Sequence, residues 1–164
     1  MTNNEIKAVT NQWLKSKGFV KGQGAYKAFG NCYVHPLPDF DVYIIFSKDR
    51  FSEMYYFEIG FQLRNNLSAW GHVRARIPQI IKGSYSAVDS NGIYGYYANE
   101  WSRDDYLICL NKMYDLFVMP YFEHGTRMLK LIAKDPSFAG GQYGVTKSTP
   151  YILHRSAFEE ISKL

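Results

Sequence analysis

Met54–Leu63 reads MYYFEIGFQL, and its alternation sets Tyr55, Phe57, Ile59, Phe61 and Leu63 against Met54, Tyr56, Glu58, Gly60 and Gln62. A period of two marks a strand with one face turned to a core. The same pattern lies on either side. In Phe40–Phe46 (FDVYIIF), Phe40, Val42, Ile44 and Phe46 oppose Asp41, Tyr43 and Ile45. In His72–Ile77 (HVRARI), Val73, Ala75 and Ile77 oppose His72, Arg74 and Arg76. The links between them, SKDRFSE and RNNLSAWG, are short enough for an antiparallel meander. Pro78 ends the third strand or places it at a sheet edge. One face of this sheet is core, and the other is aromatic and polar, as where an antiparallel sheet meets water or a partner.

Outward from these strands the pattern turns helical. Ile6, Val9, Trp13 and Leu14 recur at helical spacing, with Thr2, Asn3 and Asn4 as caps and Gly18 as the stop, after which Phe19 closes the helix end. GQGAYKAFGN (22–31) is turn-rich, with a short strand expected at Ala25–Phe29. KGSYSAVDSNGIYGYYANEW (82–101) reads as a hairpin or an ordered loop around Ser-Asn-Gly. Ser102 stands three residues before Asp105 and opens the longest helix, whose stripe is Tyr106, Leu107, Leu110, Met113, Tyr114, Phe117 and Val118. Pro120 ends or kinks it, and a second helix covers Thr126–Lys134. SFAGGQYGVTKS (137–148) reads as loop, and Thr149-Pro150 as the start of a last helix bearing Leu153, Ala157 and Ile161. The expectation is one α+β domain over residues 1–164. A mainly antiparallel sheet of four to six strands carries an N-terminal helix and two or three C-terminal helices on one face.

Composition agrees with one folded domain: 164 residues, 46% hydrophobic, 21% charged and 17% aromatic, which excludes disordered or collagen-like chains. The net charge of +4 is too mild for a dedicated polyanion binder, but it is unevenly spread. Residues 1–30 hold Lys7, Lys15, Lys17, Lys21 and Lys27 against Glu5 alone, and 59–88 hold Arg64, Arg74, Arg76 and Lys82 with no acid. Cys32 and Cys109 are far apart and form no CxxC, so neither a disulfide framework nor a zinc site is signalled. Neither a signal-peptide layout nor a membrane-length apolar run is present, and a cytoplasmic protein is expected.

No motif names a reaction. Gly22–Gly24 and Ala139–Gly144 complete neither GxGxxG nor a Walker loop and read as turns. His35, His72, His124 and His154 lie at no ligand spacing, so no metal or cofactor is expected. His124-Gly125-Thr126 and His154-Arg155-Ser156 fall in helix-like contexts, not on the paired strands of two-histidine phosphoesterases. Cys32 and His35 sit three apart on what reads as a turn, which guarantees no nucleophile–base hydrogen bond. The face shared by Tyr43, Tyr56, Arg74 and Arg76 carries the most chemistry, with Trp70 or Trp101 at its border. Tyr and Arg anchor protein interfaces. Rings can also stack bases while guanidiniums take phosphates. A third arrangement pairs Glu58 across the sheet with Arg74 or Arg76 and leaves the rings as mere cover.

The order of these segments, KSKGFVKGQGAYKAF (15–29), YYFEIGFQL (55–63), WGHVRARI (70–77) and WSRDDYLICLNKMYDLFVMPYFEHGTRMLKLI (101–132), resembles a family of uncharacterised bacterial domains. The likeness runs to about Ala133 and rests on core and turn positions. Domains of this kind are similar to small cytosolic toxin-immunity proteins, which bind one toxin and block its active site. Immunity proteins against nucleases tend to be acidic, and a pI near 8.9 departs from that pattern. The resemblance carries over no catalytic residue. The expected function is therefore non-enzymatic binding of a protein partner, a toxin, through Tyr43, Tyr56, Glu58, Trp70, Arg74, Arg76 and Trp101, with no membrane. The alternative is an RNA- or single-strand-binding domain using the same face, and a third reading is a small-molecule enzyme.

Overall fold

The computed structural model describes residues 1–64, 73–76, 95–133, 143–145, 152–154, 159–161 and 163. The core of the fold is the meander read above. Strands β1 (Val20–Lys21), β2 (Cys32–Pro36), β3 (Phe40–Lys48), β4 (Met54–Leu63) and β5 (Val73–Arg76) follow one another antiparallel. Beyond β5 come β8 (Ile152–His154) and then β7 (Tyr143–Val145), while β6 (Tyr96–Tyr97) pairs with Met54–Tyr55 at the start of β4. The four longer strands lie within the expected four to six, and among the described residues the two- and three-residue segments extend the sheet to eight.

Helices α1 (Asn3–Ser16), α2 (Arg103–Phe117), α3 (Met119–His124) and α4 (Thr126–Ala133) accompany the sheet. Ile6, Val9, Trp13 and Leu14 of α1 join Tyr106, Cys109, Leu110 and Met113 of α2 over Phe40, Val42, Ile44, Phe57, Ile59 and Phe61. Leu129 and Ile161 complete this core. Thr2 and Glu5 form a reciprocal capping box, and the Gly18 N–H donates to Lys15 O at 3.0 Å with φ at 83°, where a side chain would be strained. Thr10 hydrogen-bonds the Tyr106 hydroxyl at 2.8 Å, and Trp13 Nε1 donates to Asn111 Oδ1 at 3.1 Å, so polar pins fix α1 against α2. Pro120 stands at the start of α3, where its missing N–H is tolerated. Among the described residues no helix is long and apolar enough to cross a membrane.

Four local readings are corrected. Ala25–Phe29 is not a strand but part of a 3-10 helix, Gly24–Phe29, bracketed by positive-φ Gly24 and Gly30. Cys32–Pro36, taken as turn, is β2, drawn into the sheet by five pairings with β3. Residues 152–154 of the expected last helix form β8, and part of the expected 137–148 loop is β7. Pairing with β5 overrides the local Thr-Pro helix signal. β4 and β8 flank β5, so of the two alternatives read from Pro78 the edge placement does not apply. The Ser-Asn-Gly hairpin and Pro78 lie outside the described residues.

Candidate binding surface

Register sets the rows of the face turned away from the helices. Val34, Tyr43, Gly60 and Arg74 are successive cross-strand partners, as are Cys32, Ile45, Glu58 and Arg76, and Ser47 opposes Tyr56. Tyr43, Tyr56, Glu58, Arg74 and Arg76 therefore share one face. Glu58 stands directly opposite Arg76, and Arg74 opposite Gly60.

Half of that face is roofed. The 3-10 helix lays Phe29 in a stack on Tyr43, ring centroids 5.6 Å apart and planes at 6°, with Tyr26 tilted beside it at 5.9 Å. Tyr26 Oη donates to Asp41 Oδ2 at 2.9 Å, and Arg64 reaches the other carboxylate oxygen at 3.3 Å, tying the roof to β3. Cys32, Val34, Tyr43 and Ile45 make a second small core beneath it. Tyr43 is 1% exposed, so its expected place on an open surface is corrected. The reason is the AYKAF segment, whose two rings sit three residues apart and fall on one side of a tight turn. That spacing is a legible signal, hidden when the segment is read as a strand. Gly60 belongs to the same device: a Cβ there would lie 2.1 Å from Tyr43 Cζ, so the ring of Tyr43 crosses the strand where no side chain stands.

Trp101 is also corrected. It lies on the helical side, 7% exposed, against Tyr96 and Tyr106, with its indole N–H buried and unpartnered among the described residues. Alternation cannot place a tryptophan that lies outside a strand. Trp70 lies outside the described residues. Tyr56 and Glu58, both half-buried, stand on the β4 part of the face, beyond the 3-10 helix.

The thiols are set up for packing. On β2 Cys32 and His35 are three residues apart and face opposite sides of the sheet, Cys32 under the roof and His35 against Phe19 and Phe122. Burial pushes the Cys32 thiol up to about 12 and also raises that of Cys109, which leaves both protonated and poor nucleophiles. Among the described residues no group of three His, Cys, Asp or Glu side chains is arranged to hold a metal ion. A shallow cleft of about 210 Å³ between α1 and α2 is lined by Val9, Gln12, Trp13, Ser16, Arg103 and Leu107, none of them an acid–base pair. No protein-family model, no curated protein and no solved structure matches this chain.

Proposed function

We propose that this is a non-enzymatic cytoplasmic binding protein of the immunity type, which neutralises a toxin by docking the β4–β5 part of the second sheet face onto it. The observation that carries this reading is the register that aligns Tyr56, Glu58, Arg74 and Arg76 on adjacent β4 and β5. Tyr and Arg are the residue types that dominate interface anchors. The roof over Tyr43 favours a protein over a nucleic acid: it removes one of two rings a strand of bases would stack on, and Glu58 among the arginines opposes phosphate.

The test is capture of the tagged protein's partner from its native extract, with and without nuclease. A single protein held in near-equal amount through nuclease and high salt is the expected result. Partners lost on nuclease treatment, with binding that falls steeply with salt, would transfer the assignment to nucleic acid.

A further inference from the structure

The β3–β4 turn presents Phe51 90% exposed, whereas Phe46, Tyr55 and Phe57 of the flanking strands are buried. The turn is firmly built. Asp49 N donates to Met54 O at 2.7 Å, and Asp49 Oδ1 accepts from Phe51 N at 2.8 Å and Ser52 Oγ at 3.1 Å. Ser52 Oγ accepts from Met54 N at 3.3 Å. Lys48 bonds Glu53 at 2.6 Å, and Glu53 also accepts from Asn3 at 2.7 Å, which ties the turn to the start of α1. Arg50 sits 5.8 Å from the Phe51 ring and has no carboxylate partner among the described residues.

We propose that Arg50 and Phe51 form a preorganised plug for an apolar pocket rimmed by carboxylates on the partner protein. This rests on the binding-protein reading above and names the contact that leads it. The hydrogen-bonded turn fixes the backbone that carries the ring, so docking has only the side-chain rotamers of Phe51 left to order and not the loop as well. The turn's charges select the occupant. Lys48 is matched by Glu53 and Asp49 is engaged within the turn, which leaves Arg50 as the cation for a partner's carboxylate. One cation and one ring are too little for an anionic bilayer, whose recognition draws on clusters of about four to eight basic residues. Ser47 opposes Tyr56 at the turn end of the hairpin, so Phe51 stands within about 13 Å, the fully extended reach of four residues, of the end of the β4 part of the face. A footprint of about 800 Å² covers both.

The experiment compares affinities for the protein that the wild-type chain captures, and Phe51's exposure means that its substitution leaves the fold intact. Phe51→Ala is expected to weaken binding about 30-fold or more, and Arg50→Glu about tenfold. With p-benzoylphenylalanine in place of Phe51, irradiation is expected to cross-link an apolar pocket bordered by Asp or Glu of that protein. Phe51→Ala binding within about threefold of wild type overturns the plug. If Tyr56→Ala with Arg76→Ala abolishes binding in the same series, the binding-protein reading stands without it. Absence of any stoichiometric partner overturns both. Cross-linking to a second copy of this chain, or Phe51-dependent sedimentation with phosphatidylglycerol vesicles, overturns the protein-pocket form.

Discussion

Gly60 and Tyr43 show how one residue's absence of a side chain positions another. The Tyr43 ring fills the space a Cβ at Gly60 would need and is clamped from above by Phe29, so it has nowhere to retreat. Gly60→Ala is expected to lower stability by about 1–3 kcal/mol, the range for overpacking a filled site. Urea midpoints check this, and in the Tyr43→Ala background the same change should be nearly neutral, a coupling that a double-mutant cycle reads directly. Cys32 gives a second expectation. Its folded pKa of about 12 lies above the ordinary 9.0, so the stability held by the neutral thiol is complete below pH 9 and is lost as pH rises toward 12. Tyr26, raised by burial and by its bond to Asp41, acts in the same direction. The urea midpoint should therefore fall between about pH 9 and 11, less so in Cys32→Ala, and the folded thiol should resist alkylation until the chain unfolds. A midpoint flat across that range would contradict the buried, protonated thiol.

Elements were legible where local signals and tertiary pairing agree. The alternation in Phe40–Phe46 and Met54–Leu63 gave both strands and both faces, and Ser102 gave the start of α2. There Ser102 Oγ accepts from Asp105 N at 3.1 Å and donates to its carboxylate at 2.6 Å. Ser102→Ala should cost about 1 kcal/mol, read as a lowered melting temperature, and Ser102→Asn should recover most of it. The unread elements are those whose reason lies elsewhere in the chain. β2 is five residues ending in Pro36 between glycine-rich and proline-rich stretches, and its pairing with β3 on one side and β1 on the other makes it a strand. β8 carries a helix-start signal just ahead of it and is held instead by β5 and β7. The candidate site was legible to the level of a face: alternation placed Tyr43, Tyr56, Glu58, Arg74 and Arg76 together. It could not show that a segment fourteen residues upstream of Tyr43 covers it, because a roof leaves no periodic trace in the strand it covers.

At the scale of the whole molecule the two faces of the sheet have different roles. One is sealed by α1, α2 and Leu129 of α4 into the main core. The other is roofed over β2 and β3, leaving Tyr56 and Glu58 of β4 half-buried beyond the roof, with the Arg50–Phe51 turn beside them. Binding centred on such a surface should depend on a few anchors and respond modestly to salt, whereas a phosphate-reading surface would lose affinity by orders of magnitude. The most direct measurement is the affinity of the natively captured partner for wild type and for Tyr56→Ala with Arg76→Ala, both folded by circular dichroism. The account predicts a loss of about 100-fold or more in the double variant. An affinity equal to wild type would contradict the assignment of this face.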